Sequence, residues 1–223
     1  EISACLVGSE MCIRDRLTHL SFASWCPVCV RARAADDPHQ TLPEGAPPGT
    51  PIVQIDFFLS HRREDQEKAT GACLTETSTK AIAPSGIPAN GQGLYSVEFV
   101  LAELSDWGLL DIVLRSDQEP ATSSLCTEVK RRRELLGHKV IEEKVPRYSH
   151  SSLGNVERGN RSAEQQVRCI SAALFDACGY ELTATSGLLS WAIRHGGWTL
   201  HRYRVLDTGR TSFRHIRGRD YRG

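Results

Sequence analysis

The chain has 223 residues, of which 40% are hydrophobic and 24% are charged, so its length allows one substantial domain, alone or with a small appendage. The formal net charge is zero, and neither an 18-residue apolar run nor an apolar h-region is present, so we expect no membrane-spanning helix and no signal peptide. The charge is uneven, because residues 194–223 contain eight Arg and two Asp and a second basic cluster, KRRRELLGHK, spans residues 130–139. Such patches fit contact with a polyanion on selected faces, or simply solvated helix faces.

The opening segment LVGSEMCIRDR (residues 6–16) has neither the two-residue period of a strand nor the 3.6-residue period of a helix. Back-translation of its first ten residues permits the codons CTC GTG GGC TCG GAG ATG TGT ATA AGA GAC. That string resembles a transposase adaptor used in sequencing libraries. We therefore expect residues 1–16 to be a sequencing artefact, and we expect the natural chain to begin near Leu17.

A possible metal site follows at residues 17–39, where His19, Cys26 and Cys29 have the spacing H-x6-C-x2-C. Thiolate and imidazole ligands at this spacing suit tetrahedral Zn²⁺. The alternative is a redox-active pair, which the absence of a following βαβ pattern disfavours. Either His39 supplies a fourth ligand or the site is truncated. The other six cysteines are scattered, as expected for unpaired thiols in a reducing compartment.

Beyond a Pro-rich linker (residues 40–51), strand and helix patterns alternate. The segment IAPSGIPANGQG (82–93) is expected to break regular structure, with a third strand there optional. The remainder, residues 198–223, is expected to be an arginine-rich tail. The order β-β-(β)-α-β-α-β-α-α predicts an α/β fold, a mixed sheet flanked by helices. Strands are predicted over residues 51–60, 67–78, 109–117 and 138–146, and helices over 94–108, 119–137, 151–179 (with Ser151 or Ser152 as N-cap) and 183–197.

Three acidic residues stand out by their placement. Asp56 lies in the middle of an apolar strand, where an ionised carboxylate is costly unless a cation compensates it. Asp117 follows a predicted strand, and Glu157 falls near the start of the long helix. Taken singly, the last two are equally compatible with a turn residue and with a helix-dipole contact. If the three converge, one or two hard divalent cations would relieve their repulsion, and two such ions can promote an in-line phosphoryl displacement.

The strings around these residues resemble a known family. An Asp, about 60 residues, a second Asp, 39 intervening residues and a Glu resemble the DDE triad of retroviral and retrotransposon integrases. VQIDFF resembles their first catalytic strand, VLRSDQEPA their second motif and SSLGNVERGNRSAEQQVR their third, usually of the form S-N-G-x-V-E-R. The C-terminal HRYRVLDTGRTSFRHIRGRDYRG resembles the segment after the core in copia-like polyproteins of algae and dinoflagellates. The likeness covers roughly residues 17–223.

The resemblance implies a ribonuclease H-like integrase region of a retrotransposon Pol polyprotein. Its parts are a partial HHCC-type zinc-binding remnant (residues 17–39), a catalytic core (52–180) and a helical, basic C-terminal extension (181–223). The missing first zinc His would lie upstream of His19, where the adaptor-like segment now stands. The family's Asn in the third motif is replaced by Leu153.

For the site, the resemblance implies that Asp56 and Asp117 bridge two Mg²⁺ or Mn²⁺ ions and that Glu157 completes the second metal site. Water or a DNA 3′-hydroxyl then attacks a phosphodiester, which gives 3′-end processing and strand transfer. The implied partners are the DNA ends of the element, target DNA and further copies of the chain in a homo-oligomer, in the nucleus and cytoplasm and without a membrane. The predicted DNA-contacting residues are Lys130, Arg131, Arg132, Arg133, Lys139 and Arg158.

Two other functions stay open at this point. The first is a catalytically dead, DNA-binding remnant of an integrase, which Leu153 and the incomplete zinc site favour. The second is a ribonuclease H-like nuclease, which cleavage of RNA–DNA hybrids would reveal.

Overall fold

A computed structural model describes the part of the chain that follows the linker. The predicted adaptor segment (1–16) and the predicted zinc-binding segment (17–39) lie outside the described residues, as does most of the linker. The described residues are 49–60, 69–88, 93–145 and 152–222.

In the described part of the chain, five strands form one sheet, and its mixed character is the one that the sequence predicts. They are β1 (Ile52–Ser60), β2 (Ala69–Glu76), β3 (Ile82–Gly86), β4 (Ile112–Ser116) and β5 (Val140–Lys144). Their spatial order is β3-β2-β1-β4-β5. β1 pairs antiparallel with β2, and β2 with β3, whereas β4 runs parallel to β1 and β5 runs parallel to β4. The central strand is therefore β1, the strand that carries Asp56.

Among the described residues, five helices accompany the sheet: α1 (Leu94–Asp106), α2 (Pro120–Leu135), α3 (Gly154–Cys178), α4 (Gly187–Tyr203) and α5 (Ser212–Arg217). None of the described helices is long and apolar enough to cross a membrane. The predicted serine cap of α3 is wrong. Leu153 occupies the cap position without a side-chain hydrogen bond. A glutamine from β1 instead accepts the buried N–H of Val156 in the first turn.

The two faces of the sheet pack against different helices. Val53 and Ile55 of β1 belong to a hydrophobic cluster with the buried faces of α1 and α2. Phe58 belongs to a second cluster, with α3 and α4. Side chains two residues apart share one face of a strand, so Gln54 and Asp56 face the α3 and α4 side together with Phe58.

The edge strand β3 differs from the expectation of irregular structure at residues 82–93. Pro84 lies within it, and β3 pairs only with β2, so the missing proline N–H interrupts no interior ladder. Helix α4 packs closely on this strand, because a Cβ built on Gly197 would lie 2.1 Å from Cδ of Pro84. Residues after 180 therefore pack directly on the sheet.

The predicted arginine-rich tail contains the end of α4, the short helix α5 and a cluster of aromatic rings. The guanidinium carbon of Arg202 lies 4.7 Å from the ring centre of Trp198 and 5.2 Å from that of Tyr221. Tyr221 in turn contacts Phe213 edge-on at 5.4 Å. At least one arginine of this region is thus used for packing through cation–π contacts.

Candidate active site

Asp56 is a carboxylate whose pKa the fold raises. It is half-buried at the centre of β1, and its Oδ2 accepts a 3.0 Å hydrogen bond from Nδ2 of Asn160 in α3. Burial and, next, the negative charge of Asp117 raise the pKa of Asp56 to about 6, and Glu119 adds a smaller contribution. The backbone N–H of Phe57 and the amide of Asn160 oppose this rise without cancelling it.

Asp117 lies at the end of β4, directly after Ser116, and β4 is the parallel neighbour of β1. Its Oδ1 accepts the backbone N–H of Glu119 at 3.2 Å, so it does shape the turn into α2. It also raises the pKa of Asp56 through its charge. The strand-end aspartate thus has a turn role and an electrostatic role at the same time.

The start of α3 is fixed to β1 by one side chain, that of Gln54. Only 1% of its surface is exposed. Its Nε2 donates to the carbonyl of Ser152 at 2.8 Å, and its Oε1 accepts the N–H of Val156 at 3.0 Å. Both amide atoms are used, so the glutamine sets the position of the first turn of α3 relative to the strand that carries Asp56.

Glu157, the third predicted carboxylate, lies in this first turn of α3. It precedes Asn160 by three residues, which places the two side chains on neighbouring positions of the helix surface. Among the described residues, no group of three or more His, Cys, Asp or Glu side chains is arranged to hold a metal ion. The link that the structure shows among the three predicted carboxylates is the effect of the charge of Asp117 on the pKa of Asp56.

Sequence reasoning missed Gln54 and Asn160. The signal for Gln54 was present, because it is a polar residue in an apolar strand, two positions before Asp56 and hence on the same face. Asn160 carried a weaker signal, as a polar residue one helical turn after Glu157. None of their three hydrogen bonds follows from the sequence, since the partners are 98 to 104 residues apart.

The chemistry of the site suits a hard cation bound to oxygen. The charge of Asp117 disfavours ionisation of Asp56, and a divalent cation bound there would favour the ionised form of Asp56. The described residues thus offer two of the oxygen donors that such an ion needs. The predicted zinc ligands His19, Cys26, Cys29 and His39 lie outside the described residues.

Thiol chemistry has no support at this site. Cys73 pairs with Asp56 across β1 and β2 and is fully buried. Burial and, next, the charge of Asp56 raise the pKa of Cys73 far above its usual range. Burial also raises the pKa of Cys126 to about 12. Both residues therefore remain protonated thiols, unsuited to act as nucleophiles or as thiolate ligands.

The predicted DNA-contacting cluster on α2 has acidic partners that the sequence reasoning did not weigh. Arg131 and Arg132 both bond to Glu128, at 2.7 and 2.8 Å. Arg132 also pairs with Glu98 of α1, and Lys130 lies 3.9 Å from the carboxylate of Glu134. The net positive charge of this helix face is accordingly small.

The remaining predicted contacts differ in accessibility. Arg133 is only 3% exposed, and its guanidinium donates to the carbonyls of Leu109 and Leu110, so it ties α2 to the start of β4 and is not available to DNA. Lys139 is exposed before β5. Arg158 is exposed on α3, where it donates to Oδ1 of Asn155 at 2.9 Å. Lys139 and Arg158 are therefore the more accessible members of the predicted set.

Known proteins resemble this chain in structure and not in sequence, and the structural comparison supports the fold. No protein-family model matches the sequence, and no curated protein is similar to it. The catalytic core domain of BIV integrase is similar over 76% of this chain and 95% of its own, with 19% identity and a TM-score of 0.53. The catalytic core domain of HTLV-2 integrase, solved with magnesium in a trimeric form, is similar over 74% and 94%, with 22% identity and a TM-score of 0.50. A simian T-cell lymphotropic virus intasome is similar over 85% of this chain and 62% of its own, with 17% identity and a TM-score of 0.56. The chain therefore has the ribonuclease H-like α/β fold of retroviral integrase catalytic core domains.

Proposed function

We propose that this chain is the integrase region of a retrotransposon, and that it processes DNA 3′ ends and joins them to target DNA by metal-dependent phosphoryl transfer. The observation that carries the proposal is the perturbed carboxylate of Asp56. It lies in the central strand of an integrase-like fold, and the charge of Asp117 at the end of the neighbouring strand contributes to its raised pKa. Two repelling carboxylates at such a place are costly to the fold and useful to a metal-dependent enzyme.

In this proposal Asp56 and Asp117 hold Mg²⁺ or Mn²⁺, and Glu157 is the third ligand. A divalent cation bound there supplies charge stabilisation for the attacking and leaving oxygens of a phosphodiester. Asn160 orients the carboxylate of Asp56 through its 3.0 Å hydrogen bond. Gln54 holds the first turn of α3, and with it Glu157, against β1.

The wider context of the proposal rests on the sequence motifs. The third motif and the C-terminal string favour a copia-like Pol polyprotein of algal or dinoflagellate type, acting in the nucleus and cytoplasm. The segment 17–39 would bind Zn²⁺ through an incomplete ligand set. A homo-oligomer on DNA is proposed by analogy, because one similar core domain is described as trimeric and another similar chain is part of an intasome.

The decisive experiment is DNA nicking and end joining in the presence of Mg²⁺ or Mn²⁺. We expect activity in the wild-type chain that chelation removes and that Asp56→Asn abolishes. The matched control is Asp176→Asn, an equally conservative change at an exposed position near the end of α3. Equal activity in Asp56→Asn and wild type would refute the assignment of Asp56.

A second candidate is an integrase remnant that binds DNA without catalysis. It is favoured by the lack of a three-residue metal group in the described part of the chain and by Leu153 in the third motif. Calorimetric titration with Mn²⁺ separates the two candidates, because only a functional carboxylate set binds the ion in a manner that Asp56→Asn removes. Including an RNA–DNA hybrid among the substrates tests the nuclease alternative in the same assay.

A further inference from the structure

A cleft that is distinct from the candidate active site lies on the flank of α3 away from Asp56. Its volume is about 490 Å³, and it is enclosed by the β2–β3 turn, one side of α3 and the residues that follow α4. Four basic side chains line it: Lys80, Arg158, Arg161 and Arg204.

Helix geometry separates this cleft from the candidate active site. Asn155, Arg158 and Ser162 line the cleft and follow one another at three- and four-residue spacing, so they form one flank of α3. Asn160 projects from a different side of the helix, toward Asp56. Helix α3 therefore stands between the cleft and the two coupled aspartates.

The charge of the cleft is positive, because its two acidic residues do not offset its four cations. Glu76 is buried, and its oxygens already accept hydrogen bonds from Ser78 and Thr79 in the turn after β2. Asp207 is exposed at the rim. An anion that enters the cleft thus meets an excess of donors.

Several of those donors have unused hydrogen-bonding capacity within the described structure. Nε of Arg204 is buried without a hydrogen-bond partner, although its Nη1 donates to Oγ of Ser162 at 3.2 Å. Oγ1 of Thr75, in the same cleft, is also buried without a partner. Arg161 makes no hydrogen bond or ion pair with any described residue. Buried polar groups normally have partners, so an anion in the cleft would supply hydrogen-bond acceptors that the described residues do not.

Lys80 adds a cation from the β2–β3 turn to the same cleft. Its Nζ donates to Oδ1 of Asn155 at 3.0 Å, across the mouth of the cleft, and also to the carbonyl of Thr77. The ammonium group is therefore positioned by α3 and by its own turn, next to the space that the three arginines line.

We propose that this cleft binds phosphate groups, independently of the metal-dependent function assigned to Asp56 and Asp117. The planar, forked guanidinium groups of arginine suit phosphate oxygens, and lysine adds a mobile point charge. The cleft is too small for a DNA duplex and admits a few phosphate groups at a time. Those groups come either from a free polyphosphate or from a nucleic-acid backbone that crosses α3.

The primary test measures binding of tripolyphosphate to the full chain by calorimetry, in EDTA. We expect the double variant Arg158→Gln/Arg161→Gln to bind at least tenfold more weakly than wild type. Both arginines are exposed, so the fold should tolerate their loss, and a urea unfolding curve checks this. The control is Arg168→Gln on the same helix, whose ion-pair partner is Glu164 at 3.9 Å and which lies outside the cleft. We expect less than a twofold change in the control.

Two further arms distinguish the proposal from its alternatives. In the first, Asp56→Asn should leave tripolyphosphate binding unchanged, because the cleft contains neither coupled aspartate. In the second, a DNA duplex replaces tripolyphosphate, again in EDTA. If the double variant loses affinity for both ligands and they compete, the phosphate source is a nucleic-acid backbone; if only tripolyphosphate binding falls, it is a free polyphosphate. Unchanged tripolyphosphate binding in the double variant, or an equal loss in Arg168→Gln, overturns the proposal.

Discussion

Replacing Asp56 with asparagine should stabilise the metal-free protein at neutral pH. The folded chain holds this carboxylate in a place that favours its protonated form, so at pH 7 ionised Asp56 opposes folding. Asparagine has nearly the same shape and no charge. Its side-chain oxygen can still accept the hydrogen bond that Asn160 now donates to Oδ2. The change therefore removes the electrostatic penalty and keeps the contact.

The magnitude follows from the pKa of Asp56, which rises from 3.8 to about 6 on folding. A rise of about two units, at about 1.36 kcal/mol per unit, corresponds to about 3 kcal/mol of unfolding free energy. Because the folded-state pKa is raised, the contribution of Asp56 to the unfolding free energy is fully present below pH 3.8, where the carboxyl is protonated. This contribution is lost as the pH rises through about 6. The stability advantage of Asp56→Asn should accordingly be near zero at pH 3.5, grow between pH 4 and 7, and level off near about 3 kcal/mol.

Urea unfolding in EDTA at several values of pH measures this difference directly. Asp117→Asn serves as a matched variant, because it removes the second-largest cause of the pKa rise and should lower the titration midpoint of Asp56 in a carboxyl ¹³C NMR experiment. Under the proposed function, Mg²⁺ should stabilise wild type more than Asp56→Asn. It should therefore reduce the difference in unfolding free energy between the two proteins. Parallel stability curves for the two proteins from pH 4 to pH 8 would show that burial does not perturb Asp56.

Three further substitutions test the packing around the site by urea unfolding. Gln54→Leu should cost about 2–4 kcal/mol, because it removes two buried hydrogen bonds to the backbone of the first turn of α3; a cost below 1 kcal/mol would contradict its role in holding α3 against β1. Gly197→Ala should cost about 1–3 kcal/mol through steric overlap with β3, whereas Gly187→Ala, with open space around the new Cβ, should be neutral or slightly stabilising. Arg133→Gln should cost about 2 kcal/mol, while Arg131→Gln, at an exposed position of the same helix, should leave the urea midpoint unchanged; equal midpoints for the two arginine variants would contradict the buried role.

The sequence predicted the elements whose signals are local. A run of apolar residues around a single acid gives β1, and helical spacing of apolar residues gives α1. The edge strand β3 was harder to predict, because Pro84 argues against a strand until its edge position is known. Whether β3 lies at the edge depends on how the whole sheet assembles, so the residues of β3 alone do not reveal it.

The basic clusters show a different limit. Arg132 and Arg133 look like phosphate contacts in sequence, and nothing nearby reveals that one pairs with Glu98 and the other is buried against Leu109. In the C-terminal region, Arg202 contacts Trp198 on its own helix, but its contacts with Phe213 and Tyr221 require residues of α5 and beyond. Charge in a sequence therefore identifies candidates, while long-range partners decide which of them remain available to a ligand.

The two hydrogen bonds of Gln54 make the position of α3 independent of the length of the chain between β5 and α3. Since β1 holds the first turn of the helix at both the Ser152 carbonyl and the Val156 N–H, residues can be inserted or deleted between β5 and α3 without moving Glu157 relative to β1. We therefore expect the interval of 39 residues between Asp117 and Glu157 to tolerate small insertions or deletions. A search for distant relatives should therefore weight a glutamine two positions before the strand aspartate above any fixed spacing between the later acids.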